Sequence, residues 1–432
     1  EKRNTMEKKT YISAILKQEL ILAMGCTEPA ACALSGAKAS ELLIGDKPTS
    51  ITVETTRDIL KNAMGVNIPG VEKKGVCAAV ALGVAIRDTS YGLDILSHIT
   101  EAQKKEADGY QVKLNLVEED TPLYIKVILS DGKHTSMAVV SQNHDHFSYL
   151  EQDGKVLSVD PKEANRKPKK LDIKELTELS MDDIIEYAKH MDNDIEALLL
   201  EALSTNMKIA EESLKESYGL SVGKTLMKDC TYPPKNLSDA FNAGAALAAG
   251  GSDARMAGCQ LPVMINSGSG NQGITLTVPI AVLGTYLQKT DREKAEALCI
   301  AELTALVLTA IKGRLSAQCG AFTAATGLGC GVAWLQGGDG KTMEKVITNM
   351  VGDLAGVICD GAKMTCALKI YSCVQSAYLA SKLALNGYAP TAECGIIGDD
   401  AQNTLKNLAH LTHEGMEPTD KTILSIMVGK QK

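Results

Sequence analysis

Residues 110–157 read YQVKLNLVEEDTPLYIKVILSDGKHTSMAVVSQNHDHFSYLEQDGKVL, and their period decides the fold. Polar and apolar side chains alternate through four segments, YQVKLNLVEE, PLYIKVILSDGK, HTSMAVVSQ and FSYLEQDGKVL. Alternation of this kind marks half-buried strands, and Asp131–Gly132 and Asp153–Gly154 supply the residues of tight hairpin turns. The pattern predicts a four-stranded antiparallel meander. Ahead of it, SITVETT at 50–56 reads as one more short strand. Residues 8–43 place Ile12, Ile15, Leu16 and Leu20 at helical spacing, with a break between Gly25 and Pro29. Behind it, the polar linker DPKEANRKPKKLD (160–172) separates a stretch that is almost wholly helical from Ile173 onward. The fold class expected is α+β. An N-terminal α/β domain with a small antiparallel sheet covers residues 1–165, and a mostly all-helical domain covers 166–432.

Composition narrows the function. The 432 residues are 45% hydrophobic but only 4% aromatic, with three Phe and one Trp. The core is therefore built from Ala, Leu, Ile, Val and Met, which suits closely packed helices. A net charge of −8 without a basic run argues against nucleic acid, whose phosphates call for clustered Lys and Arg. The start of the chain lacks the apolar core of a secretory leader, and the longest apolar runs, such as Ile274–Leu287, fall short of the roughly 20 residues of a membrane helix. The expectation is a cytoplasmic protein with reduced thiols, no membrane contact, and a homodimer as the default assembly.

Five of the twelve cysteines stand in two small-residue stretches, AQCGAFTAATGLGCGVAW (317–334) and GVICDGAKMTCALKIYSC (356–373). Thiolates are the preferred ligands of zinc and iron–sulfur clusters. Buried structural cysteines are the alternative, since free Cys is among the most buried residue types, and spacing alone does not decide between them. Cys359, Cys366 and Cys373 fall seven apart, on one face of a continuous helix, with Gly361 as a plausible break. Cys26, in GCTEP, sits just outside a helix N-terminus, where partial positive charge favours thiolate. It reads either as a reactive thiol or as an ordinary loop cysteine. Asn266, Ser267, Ser269 and Asn271 belong to the polar, glycine-rich stretch NSGSGNQG (266–273), read as a loop whose backbone N–H groups make a concave anion site. In TRDILKNAMGVNIPG (56–70), Arg57, Lys61 and Asn62 taken alone read as a solvated helix face, and Cys77 as a core residue. His134, His144 and His146 could hold a metal but are also ordinary turn histidines. GLSVGKT (219–225) lacks the spacing and preceding strand of a phosphate loop.

Five stretches in order, MGCTEPAA, KNAMGVNIPG, NSGSGNQG, QCGAFTAATG and ICDGAKMTC, resemble the motifs of the L-cysteine desulfidase family (UPF0597), which is related to the iron–sulfur L-serine dehydratases. The resemblance covers essentially the whole chain. It implies an oxygen-labile [4Fe–4S] cluster held by Cys319, Cys359 and Cys366 with one iron open, and Cys26 as the catalytic base. It implies β-elimination of L-cysteine to pyruvate, ammonia and hydrogen sulfide, a lyase activity independent of pyridoxal phosphate. The substrate carboxylate is expected on the Asn266–Asn271 stretch, with Lys61 or Arg57 assisting. Cys330 and Cys373 receive no role from the resemblance. The chain ends VGKQK, without the C-terminal cysteine of the serine dehydratases. The alternatives are L-serine dehydration by the same elimination, a non-catalytic iron–sulfur sensor, and a structural zinc protein.

Overall fold

A computed structural model describes residues 2–23, 27–45, 47–68, 71–117, 119, 123–141, 144–157, 171–313 and 316–429. Cys26, the Pro69–Gly70 turn and most of the 160–172 linker lie outside the described residues. The architecture is α+β, as the two periodicities require.

The N-terminal helix α1 (Lys2–Glu19) leads through a two-residue strand β1 (Leu22–Ala23) to helix α2 (Thr27–Leu42) and strand β2 (Ser50–Thr55). Helices α3 (Arg57–Ala63), α4 (Val76–Ile86) and α5 (Glu101–Asp108) follow. Then come β3 (Val112–Leu116), β4 (Tyr124–Ser130), β5 (Thr135–Ser141), β6 (Phe147–Gln152) and β7 (Lys155–Val156). The sheet is six-stranded, in the order β3-β2-β4-β5-β6-β7.

The meander holds for β4 through β7 but not for β3. SITVET inserts between the first two expected neighbours: β2 pairs parallel with β3 and antiparallel with β4. Alternation marks β3 as a strand but says nothing about partners, and a parallel pair needs the long crossover that residues 56–111 supply. The predicted turns hold at Asp131–Gly132 and Asp153–Gly154. There His134 Nδ1 lies 2.8 Å from Asp153 Oδ2, while His146 Nδ1 lies 3.1 Å from the Ser141 carbonyl. Both histidines fasten turns.

One face of the sheet buries Ile51, Val53, Ile125, Val127, Ala138 and Val140 against α2 and α4. These helices meet so closely that a Cβ at Gly83 would collide with the Ala33 carbonyl. Small residues on both helices permit that approach, and buried hydroxyls tie the layers: Ser35 Oγ donates to Ala138 C=O at 3.0 Å, and Ser136 Oγ to Ala39 C=O at 2.6 Å. Cys77 is only half-buried, at the start of α4.

Among the described residues, the rest of the chain is helical apart from one short strand. A 3₁₀ turn at Ile173–Glu178 precedes α6 (Met181–Lys189), α7 (Asn193–Glu212), α8 (Val222–Met227) and α9 (Leu237–Met256). Strand β8 (Val263–Met264) then leads into α10 (Gly270–Tyr286), α11 (Asp291–Lys312), α12 (Gly320–Leu335), α13 (Gly340–Leu354) and α14 (Cys366–Leu385). A π-helical turn at Leu411–Gly415 joins α15 (Ala401–His410) to α16 (Glu417–Gly429). Caps fix these starts: Thr290 with Glu293 and Ser180 with Asp183 form capping boxes, and Asn236, Asp339 and Asp400 each accept the N–H three residues on.

Two cores result. One joins the sheet to α2 and α4, and the other is the helical body. Burial crosses between them at both chain ends. Ile12, Ile15, Leu16 and Leu20 pack into the helical core, and Leu424 of α16 packs into the N-terminal one.

Candidate active site

Main-chain pairing assembles the site. β1 pairs antiparallel with β8, Leu22 against Met264 and Ala23 against Val263, and Ile265 N–H donates to the Ile21 carbonyl at 3.0 Å. The approach to GCTEP is thereby laid beside the approach to NSGSGNQG. A second bridge joins Gln318 to Ile358: Cys319 N–H donates to Val357 C=O at 2.8 Å, and Cys359 N–H to Ala317 C=O at 2.6 Å. Two cysteines distant in sequence become neighbours.

NSGSGNQG is only half loop. α10 begins at Gly270, so Asn271, Gln272 and Gly273 form its first turn, and Ser269 caps it by accepting the Gln272 N–H at 3.4 Å. What remains is a four-residue turn closed by Ser269 N–H donating to Asn266 C=O at 2.8 Å. Ser267, at φ +52°, occupies the left-handed region that non-glycine residues avoid, a strained conformation of the kind held at binding sites. The helix N-terminus beside it offers unsatisfied N–H groups and partial positive charge.

A cavity of about 140 Å³ opens where these pieces meet. The N-terminal body contributes Glu28, Lys61 and Asn62 to its wall, and the turn and α10 contribute Ser267, Ser269 and Asn271. Cys319, Cys359 and Cys366 form the third side, with Lys312 and Arg255 completing it. Of the expected substrate contacts, Asn266 and Arg57 are not on this wall. Asn266 is fully buried behind the turn, its Nδ2 donating to Glu302 Oε2 at 2.5 Å and its Oδ1 accepting from Ser267 Oγ at 2.7 Å. It supports the turn from beneath. Cys26 directly precedes α2, whose Glu28 lines the cavity.

Lys61 is not on a solvated face. It is 2% exposed, its Nζ lies 2.5 Å from Asp420 Oδ1 on α16 and 4.0 Å from Asp58 Oδ1. Burial pulls its ammonium down, but the Asp420 hydrogen bond and the charges of Cys359, Asp420 and Asp58 together hold it above the ordinary lysine value. Gly361, at φ +87°, admits this contact, since a side chain there would strike the Lys61 carbonyl. That same glycine ends any continuous helix between Cys359 and Cys366. Cys366 opens α14, with its Sγ accepting the Lys363 N–H at 3.4 Å.

The Cys319 thiol beside Cys359 holds it low, helped by Lys61, the Gly361 N–H and Lys312, and Cys359 in turn pushes Cys319 up. Burial raises Cys366. Lys61 and Lys312 act on Cys359, Lys363 on Cys366 and Cys359, and Lys369 on Cys319 and Cys366. Cys330 and Cys373 are fully buried in the helical core, away from the cavity wall. No three His, Cys, Asp or Glu among the described residues converge as ligands of a single metal ion. Lys312, Glu302, Gln318 and Asp420 escaped the sequence reading. The signal for the first two was a charge inside the otherwise apolar run CIAELTALVLTAIKG (299–313).

Residues 90–425 match the family described as "Serine dehydratase alpha chain". The chain belongs to the serine dehydratase alpha-chain family. It is also similar along nearly its whole length to UPF0597 proteins. One from Parabacteroides distasonis is 38% identical over 427 residues, 98% of each chain. One from Oleidesulfovibrio alaskensis is 39% identical over 425 residues, 96% of this chain and 97% of its own. The family is one of lyase-type enzymes. No helix among the described residues is long and apolar enough to cross a membrane.

Proposed function

We propose that the protein is a β-elimination lyase that converts L-cysteine to pyruvate, ammonia and hydrogen sulfide. The observation that carries this reading is the meeting of three thiols, a helix N-terminus and a buried lysine on one cavity wall.

The donor set suits a [4Fe–4S] cluster better than a single ion. A cluster spreads its thiolate ligands over separate irons, so Cys319, Cys359 and Cys366 can line one wall without converging on a point. Four lysines act on these thiols; burial pulls Lys312 and Lys363 down, while Lys61 and Lys369 are held above the ordinary lysine value, a cationic setting for a group that thiolates make anionic. A cluster held by these three cysteines would have one iron without a protein ligand and would supply Lewis acidity there.

The chain's own residues do the rest. The α10 N-terminus, Ser267, Ser269 and Asn271 receive the substrate carboxylate. Among the described residues, Asn271 Oδ1 and Gln318 Oε1 are buried without a hydrogen-bond partner, which leaves polar capacity in the cavity for a ligand. Lys61, anchored by Asp420, contributes positive charge. Cys26, as thiolate before the α2 N-terminus, takes the α-proton. Elimination then yields aminoacrylate, which tautomerises and hydrolyses to pyruvate and ammonia.

The family description favours a second reading, dehydration of L-serine by the same proton abstraction with water leaving. Relative kcat/KM for the two amino acids under anaerobic conditions separates them. The desulfidase reading predicts a larger value for L-cysteine, with sulfide and pyruvate formed in equal amounts. A larger value for L-serine moves the assignment to dehydration.

A further inference from the structure

An α-amino acid carries an ammonium as well as a carboxylate, and a cavity that takes it out of water must answer both charges. The wall described above is rich in donors and cations: the α10 N-terminus, Lys61, Lys312 and Arg255. The thiols apart, the described residues of this wall include one anionic side chain, Glu28.

Glu28 stands in the first turn of α2, two residues beyond Cys26. Negative charge is favoured at that end of a helix, so the position suits an ionised carboxylate. Thr27 and Asn62 are among the groups that orient it. Asn62 Nδ2 donates to Oε1 at 3.2 Å, and Thr27 Oγ1 donates to Oε2 at 3.3 Å. Asn62 also lines the cavity and follows Lys61 on α3, so one helix supplies one cation of the wall and the residue that aims its carboxylate.

We infer that Glu28 receives the α-ammonium of the substrate, aimed by Asn62, and restricts the site to compounds with a free α-amine. The inference rests on the proposed amino-acid function and adds the group that reads the amine. Thiols without an α-ammonium, such as 3-mercaptopropionate, then fall outside the substrate class although they offer the same carboxylate and leaving group.

The test compares two unreactive ligands on the full-length, anaerobically reconstituted protein: L-alanine, which has the amine, and propionate, which lacks it. Binding is read by calorimetry for wild type and for Glu28→Gln. A charge-assisted hydrogen bond of this kind corresponds to a loss of roughly 10- to 100-fold when the charge is removed. The expected result is that loss for L-alanine, unchanged binding of propionate, and a rise in KM with kcat nearly kept. Equal weakening of both ligands would show a structural role and overturn the inference, as would unchanged L-alanine binding. A fall in kcat at constant KM would assign Glu28 to proton transfer and overturn it too. Wild-type protein that binds propionate but not L-alanine would instead overturn the amino-acid function itself, and Glu28's role with it.

Discussion

At the scale of single residues, the buried pair Glu302–Asn266 shows how a side chain that never reaches the cavity shapes it. Burial pushes the Glu302 carboxyl up to about 8, and the Asn266 hydrogen bond offsets only part of this. The folded value lies above the unfolded one, so the folded state binds the extra proton. Stability is fully present below about 4.5 and is lost as pH rises through about 8. Glu302→Gln keeps an acceptor for Asn266 without the titration. Its melting temperature should gain on wild type between pH 6 and 8.5, and a constant difference across that range would refute the assignment. Thiols give a second prediction. Cys319→Ser, Cys359→Ser and Cys366→Ser should each lose the visible absorption of anaerobically reconstituted protein, while Cys330→Ala and Cys373→Ala keep it. Loss of colour in either core variant would mean the wrong thiols were chosen. These five cysteines look alike in sequence, and only the likeness to a family separated the three on the cavity from the two in the core. Lys61 shows the converse limit. Its charge suggested a wet helix face, and nothing local announces that Asp420, on the last helix, covers it.

At the scale of elements, period carried the reading well, whereas pairing partners did not show. The helical spacing of Ile12, Ile15, Leu16 and Leu20 and the helical stretch from Ile173 onward both hold. β3 was legible as a strand but not as the parallel neighbour of β2, because hairpin logic is local and this pair is joined through three helices. The polar stretch at 266–273 was legible as a candidate site but not as the start of a helix, since Gly270 and Gly273 are poor helix formers in isolation. Tertiary packing overrides that preference: a side chain at Gly273 would strike the Met264 carbonyl of β8. The close crossing of α2 and α4 supports a test of its own. Gly83→Val drives a branched side chain into the Ala33 carbonyl and should cost about 1–3 kcal/mol or more. Chemical denaturation measures it, and a variant as stable as wild type would show that the two helices can part without penalty.

At the scale of the whole molecule, the chain is laced so that each end serves the opposite core. α1 packs into the helical body, and α16 returns to bring Leu424 to the N-terminal core and Asp420 to Lys61. The cavity lies on the seam, with Glu28, Lys61 and Asn62 from one body and the three thiols from the other. A division of the sequence at residue 165 puts candidate residues in both halves, but a linear division cannot express the crossing of the ends, which depends on contacts between residues hundreds of positions apart. The central claim is that this seam is a cluster-dependent elimination site, and one measurement addresses it most directly. Protein reconstituted with iron and sulfide under anaerobic conditions and freed of excess reagent is given L-cysteine, and sulfide and pyruvate are assayed together before and after exposure to air. The account predicts equal amounts of the two products and loss of both activity and visible colour in air. Turnover that persists in air without iron, or coloured protein that turns over neither L-cysteine nor L-serine, would contradict it.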